Sequence, residues 1–197
     1  MSAVQALERG GAELMDCLVH YARDFTKQPM LADVPARVPI TAMCEEDAPG
    51  VERVARLAFA QYRGHYHADT RVDPALASAV YENWGRRIAT DPRAADAVFT
   101  ARDGASVAGF IALKRTDEAT VDIVLNGVDP ALQGRGIYQA LVAHGLRWAR
   151  QSGAARCIAA TQIDNLGPQI AWVRNGFEPV SSLYTFHRWA RPCDRST

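Results

Sequence analysis

Val128-Asp129-Pro130-Ala131-Leu132-Gln133-Gly134-Arg135-Gly136-Ile137-Tyr138 joins an extended apolar run to an amphipathic helical stretch through a loop that holds two glycines. Such a loop exposes several backbone N–H groups at a helix N-terminus, and that arrangement binds phosphate without any net positive charge. It is not a P-loop, because no Gly-Lys-Ser/Thr follows. It is not a dinucleotide fingerprint either, because Gln139 stands where G-x-G-x-x-G requires its third glycine. A tight turn before a helix is the simpler alternative for a glycine pair; the preceding strand and the Gln-Gly-Arg-Gly-Ile order favour the anion cradle.

Outward from this loop the punctuation is regular. Residues 137–151 read as a helix with Ile137, Leu141 and Trp148 toward the core, closed at Ser152-Gly153, and residues 156–161 read as the next strand. Strand, helix, strand implies a right-handed parallel crossover. Upstream, residues 97–102, 107–113 and 121–128 form a meander with a hairpin turn at Asp103-Gly104. Before it, Asp47 and Pro49 begin a helix over about residues 48–62 with Val51, Val54, Ala55, Ala58 and Phe59 on one face. Asp73 and Pro74 begin another, with Leu76, Val80, Trp84 and Ile88 down one side. A short helix around residues 169–174 ends at Asn175-Gly176, followed by one or two strands to Trp189. The class is α/β with a mixed sheet.

The chain has 197 residues, with Lys+Arg and Asp+Glu both 22, so no bulk charge draws it to nucleic acid or an anionic membrane. Any anion it binds is held locally. Its apolar runs fall far short of the ~18 residues of a membrane span, and the opening MSAVQALERG lacks the pattern of a signal peptide. Cys17, Cys44, Cys157 and Cys193 form no C-x-x-C pair, which favours reduced thiols in a cytoplasmic protein and argues against a zinc knuckle.

The loop resembles the pyrophosphate signature Q/R-x-x-G-x-G/A of the Gcn5-related N-acetyltransferase (GNAT) family, through Gln133, Gly134, Arg135 and Gly136; Tyr138 departs from the final small residue. A second family element, N-x-x-A-x-x-x-Y-x-x-x-G-F, is matched in spacing by Asn165, Gly176 and Phe177, with Pro168 and Trp172 as departures. The resemblance covers residues 39–189 and implies a mostly antiparallel mixed sheet flanked by helices. It also implies acetyl-CoA as acyl donor, no metal, and an amine as acceptor. Within the family, Leu57-Ala58-Phe59-Ala60-Gln61, residues 160–165 and Ser182-Leu183-Tyr184 are similar to the TDP-fucosamine acetyltransferases. That likeness implies a nucleotide-linked 4-amino-4,6-dideoxy sugar as substrate, in surface polysaccharide synthesis. A homodimer stays open, as do another small amine or a protein terminus as acceptor, and a non-catalytic CoA-binding module.

The resemblance assigns Asn126, Gly127 and Val128 to an irregular strand that holds the thioester arm, and Gln133 to Tyr138 with Asn165 and Trp172 to the rest of the cofactor site. Trp172 stands where many relatives place a tyrosine acid, and indole N–H donates a hydrogen bond but supplies no useful proton. Tyr184 is the candidate acid, or a core tyrosine with its hydroxyl at the surface. His65 and His67 are candidate bases, since an imidazole of ordinary pKa near 6.5 accepts a proton at neutral pH; surface histidines and an H-x-H metal pair are the alternatives. Asp122, placed by strand alternation on one face with Val124 and Asn126, either lines the cleft or forms a half-exposed strand face. Arg63, Tyr66 and Arg71 are candidate substrate contacts, the arginines for a diphosphate.

Residues 1–38 form a leader and 190–197 a polar tail. Leu7-Glu8-Arg9-Gly10 and the extended run to Arg23 echo Val173-Arg174-Asn175-Gly176 and the run to Arg188, so the leader reads as the remnant of a second, related unit.

Overall fold

The computed structural model describes residues 2–29, 37–60 and 62–190; Gln61, Cys193 and all of the tail after Ala190 lie outside these described residues. In chain order the elements are α1 (Ser2–Arg9), β1 (Glu13–Asp24), β2 (Ile40–Ala42), α2 (Ala48–Phe59), α3 (His65–Ala68), α4 (Pro74–Thr90) and β3 (Ala97–Asp103). There follow β4 (Ser106–Arg115), β5 (Thr120–Val128), α5 (Ile137–Gln151), β6 (Arg156–Gln162), α6 (Leu166–Arg174) and β7 (Glu178–His187). The strands form one sheet in the order β2-β3-β4-β5-β6-β1-β7. Every neighbouring pair is antiparallel except β5 and β6. The mixed, mostly antiparallel sheet expected from the sequence is therefore present. No helix of the described residues is long and apolar enough to cross a membrane.

Two cores sandwich the sheet. One packs α5 and α6 through Ile137, Leu141 and Trp172 onto Ile111, Val121 and Ile123. The other packs α2 and α4 through Val51, Val54 and Ile88 onto Phe110, Ala112 and Leu125. Such two-sided burial supplies most of the drive for folding.

The leader is part of this body. β1 lies between β6 and β7, with Leu18 opposite Gln162 on one side and Leu183 on the other. Local patterning does not reveal such a place, because both partners lie more than a hundred residues away. The two segments end their helices in a similar turn, offset by one residue from the sequence alignment: Gly11, not Gly10, has the positive φ of Gly176. Ala12 N–H closes on Leu7 O as Phe177 N–H closes on Trp172 O.

Two local readings change. Asp73 caps α4 by accepting from Ala75 N–H at 2.8 Å, but Asp47 does not cap α2 with its side chain. It is buried, accepts from Thr100 Oγ1 at 3.0 Å and pairs with Arg102. On α4, Leu76 is 65% exposed and the buried side is Ala77, Tyr81, Gly85 and Ile88. A Cβ on Gly85 would lie 2.3 Å from that of Ala55, so α4 meets α2 by its narrowest side.

Deleting residues 2–24 removes the shared partner of β6 and β7. The shortened chain is expected to lose cooperative thermal unfolding, followed by circular dichroism; a sharp transition in it would show that residues 39–189 fold alone.

Candidate active site

β5 and β6 pair at three positions, Thr120 with Arg156, Val121 with Cys157 and Asp122 with Ile158. Beyond them β5 continues along β4 to Val128, and β6 along β1 to Gln162. The facing edges thus diverge, and backbone groups past Asp122 and Ile158 have no strand partner across the gap. The gap opens into a cavity of about 710 Å³.

One residue decides which side chains of β5 enter it. Leu113 pairs with Ile123 and Ala112 with Leu125, so Val124 is an extra residue, a β-bulge. The bulge reverses the alternation: Ile123 joins the α5 core and Leu125 the α2 core. Asp122 and Asn126 therefore do not share a face, which corrects the expectation from period two. Asn126 meets the Tyr138 hydroxyl on α5, its Oδ1 accepting at 3.1 Å. Asp122 sits at the closed end of the gap, where burial raises its carboxyl to about 6, and is not among the residues lining the cavity.

The loop lies at the open end. Asp129 accepts from Ala131 N–H at 3.0 Å and starts a single turn over residues 130–132. Gly134 and Gly136 both have φ of 77°, which only glycine adopts without strain, and Gly136 caps α5. Ala140 N–H donates to Gly136 O at 3.0 Å, so the N–H groups of Ile137, Tyr138 and Gln139 precede any intrahelical acceptor. Nothing lies within 4 Å of where a Cβ of Gly134 or Gly136 would point. Open space before a row of free donors is what a phosphate needs. Arg53 holds Asp129 in an ion pair, which neutralises a carboxylate beside that space.

Every cofactor residue expected from the sequence lines the cavity except Arg135, whose guanidinium reaches Asp103 at 3.6 Å. Tyr138 does not obstruct the loop, since its hydroxyl turns inward to Asn126. Trp172 is buried between Tyr21 and Phe177, with its indole N–H directed at the Tyr138 hydroxyl. Asn165 Nδ2 donates to Thr161 Oγ1 at 2.8 Å on the opposite wall. Tyr62 and Tyr81, which the sequence did not single out, also line the cavity, as does Trp84, expected on the core side of α4.

Beside Tyr62 lies a chain of polar side chains. His65 Nδ1 is 2.9 Å from His187 Nε2, and His187 Nδ1 is 2.8 Å from Asp69 Oδ2. Asp69 has no solvent-exposed side-chain surface and also accepts from Arg71 Nε and Trp189 Nε1, both at 2.7 Å. A carboxylate only accepts, so His187 Nδ1 carries a proton. With both rings neutral, His187 Nε2 accepts from His65 Nδ1–H, and the lone pair of His65 is left on Nε2. Burial, then His187, holds the His65 pKa below its ordinary value. The Arg71 hydrogen bond, followed by those of Trp189 and His187, holds Asp69 far below the usual carboxylate range.

The remaining candidates are placed differently. His67 stacks on Tyr81, with Nε2 3.2 Å from Ser78 Oγ, and Tyr66 packs against His65. Arg71 is committed to Asp69 and Glu13 and covers the Trp189 ring, while Arg63 is exposed and donates to Tyr62 O. Tyr184 is 51% exposed on β7, on the opposite face from His187 by strand alternation. None of these lines the cavity, and neither do His65, His187 and Asp69. Among the described residues no group of three or more metal-ligating side chains is gathered.

A carboxylate with a depressed folded pKa stabilises the fold above the unfolded value of about 3.9 and loses that contribution as pH falls through the lowered one. Asp69→Asn is therefore expected to lower the melting temperature at pH 6 and to flatten its decline between pH 4 and pH 2; an unchanged acid limb would remove Asp69 as its source.

Three comparisons bear on this geometry. The chain is 26% identical over 144 residues to the spore coat polysaccharide biosynthesis protein SpsD of Bacillus subtilis, a match over 73% of this chain and 48% of that protein. It thus spans about half the length of that relative. It superposes with a TM-score of 0.66 and 18% identity on a GCN5-related N-acetyltransferase from Sphaerobacter thermophilus, over 94% of this chain and 55% of the other. A GNAT acetyltransferase from Brucella melitensis solved with acetyl-CoA superposes at 0.50 with 22% identity, over 69% and 81%. The family model for acetyltransferases of the GNAT type matches residues 52–177, more than half of the chain, from within α2 to Phe177, and the chain belongs to that family.

Proposed function

We propose that the chain is an N-acetyltransferase that moves an acetyl group from acetyl-CoA to the amine of a nucleotide-linked 4-amino-4,6-dideoxy sugar, by direct attack in a ternary complex. The observation that carries it is the meeting, in one cavity, of the diverging β5 and β6 edges with the N–H row of residues 134–139. A long ligand with a diphosphate at one end and an amide-bearing arm fits that pairing of donors: diphosphate at the loop, arm along the unpaired edges. When bound, acetyl-CoA supplies an activated thioester carbonyl. The likeness to a polysaccharide biosynthesis protein supports the sugar acceptor. The free thiols of Cys17, Cys44 and Cys157 fit a cytoplasmic setting, and the repeated helix–glycine–strand unit supports residues 1–38 as the tail of a second related unit.

In this site His65 takes a proton from the acceptor ammonium at Nε2, and His187 and Asp69 hold the ring in the tautomer that leaves Nε2 bare. The freed amine attacks; the C–N bond forms as the C–S bond breaks, and the second amine proton goes to the departing sulfur. That sulfur needs little help from an acid, since a thiol of pKa about 8.5 is a tolerable leaving group.

Thiol release from acetyl-CoA in the presence of nucleotide-linked 4-amino sugars, polyamines and peptide amines tests the function; tight CoA binding without release for any amine would leave a non-catalytic CoA-binding module. His65→Ala is expected to lower turnover by about a hundredfold with CoA affinity unchanged, and the wild-type rate to fall with acid through a pKa below 6.5. His67→Ala is expected to keep the wild-type profile. Gly136→Val forces a side chain into left-handed backbone at the loop, so calorimetry is expected to show CoA binding weakened about tenfold. Unchanged affinity would refute the assigned loop.

A further inference from the structure

Three arginines lie close to the loop from Gln133 to Tyr138, and two of them are engaged. Arg53 pairs with Asp129, and the loop's own Arg135 turns to Asp103 at 3.6 Å and does not line the cavity. The third is Arg174, in the last turn of α6. Its side chain is exposed, lines the cavity, and has no ion pair or hydrogen bond among the described residues. Of the described residues that line the cavity it alone carries a formal charge, and no carboxylate is among them.

Two contacts give this guanidinium its place. α6 turns Gly167, Ala171 and Arg174 to the cavity at the spacing of one helical face, so the arginine ends a wall of small residues. The next residue, Asn175, is buried, and its Nδ2 donates to Ala171 O at 2.9 Å and across to Gln139 O at 3.5 Å. Gln139 belongs to the first turn of α5, whose N–H groups form the free row. Arg174 thus stands at the loop end of the cavity. A helix C-terminus ordinarily repels an anion, but here the carbonyls of Ala171, Trp172 and Val173 all have donors, and that of Asn175 accepts from the buried Arg23.

CoA carries two kinds of phosphate. The diphosphate is matched by the N–H row. The other is a monoester on the ribose, which at neutral pH holds close to two negative charges on three acceptor oxygens. A guanidinium meets such a group with two parallel N–H bonds, which the dipoles of one helix end do not supply once the diphosphate occupies them.

We propose that Arg174 binds the ribose phosphomonoester of CoA, so that the site distinguishes CoA from its dephosphorylated form. Backbone then recognises the diphosphate and one side chain the monoester, on two helices joined by the contact of Asn175 with Gln139. The assignment rests on the cofactor of the function proposed above, and its test reads binding, not turnover.

CoA and 3′-dephospho-CoA serve as probes in calorimetry with the full chain at neutral pH. The wild type is expected to bind CoA about tenfold more tightly than dephospho-CoA, and the ratio to shrink as salt rises. Arg174→Gln is expected to bring CoA down to the affinity of dephospho-CoA and to leave dephospho-CoA unchanged. Arg174→Lys, which keeps the charge and loses the fork, is expected to keep part of the preference, and Arg174→Glu to reverse it. Equal binding of both ligands by the wild type, or a preference that survives Arg174→Gln, overturns the assignment and leaves the cofactor in place. So does an equal loss for both ligands in Arg174→Gln, which would put the guanidinium on the diphosphate. Binding of neither ligand by the wild type removes the cofactor, and the proposed function with it.

Discussion

The parallel pairing of β5 and β6 stops after Asp122, and the rest of the site depends on that termination. Two strands that part leave backbone donors and acceptors without partners, and in a protein interior these must find a ligand or water. The parting survives because each strand is held from its far side, β5 by β4 as far as Val128 and β6 by β1 as far as Gln162. Where β5 no longer answers to β6, the bulge at Val124 turns it, so Asn126 reaches Tyr138 and Gly127 lets α2 approach. A Cβ on Gly127 would stand 3.1 Å from that of Ala58.

β1 therefore supports the cleft without touching the loop that names the family. Its Arg23 is almost fully buried and donates to the carbonyls of Asn175 and Pro29, so a guanidinium closes the end of α6. α6 carries Trp172 into the cavity wall, with Asn165 just before its first turn. Loss of β1 would thus release one edge of the gap and the helix that covers it. A strand that looks like an appendage in the order of the chain is a central one in the order of the sheet.

What the sequence made legible was local. The loop from Gln133 to Tyr138 is read from the placement of its glycines between strand and helix, and both glycines have a left-handed backbone. The meander and crossover follow from period and punctuation. What it hid depends on contacts far apart in the chain or on a one-residue change of period. The place of β1 comes from partners near residues 160 and 180. The faces of β5 change at an inserted Val124 that alternation alone does not show. α4 turns its small residues inward because Gly85 meets Ala55, although Leu76 and Trp84 look like the better core. The His65–His187–Asp69 chain spans more than a hundred residues, so His65 was visible as a candidate and its orientation was not.

Zero net charge takes on a local meaning in this arrangement. Many of the 22 cationic and 22 anionic side chains are spent on one another, as in Arg53 with Asp129, Arg71 with Asp69 and Arg102 with Asp47. Pairing removes these charges from the field that a ligand meets. What remains at the loop is a row of N–H dipoles, positive toward the cavity. The loop needs no surplus of charge, because enclosure by apolar and aromatic walls makes a row of dipoles effective at short range. A neutral chain can in this way offer an anion a local positive field that its bulk charge would not supply.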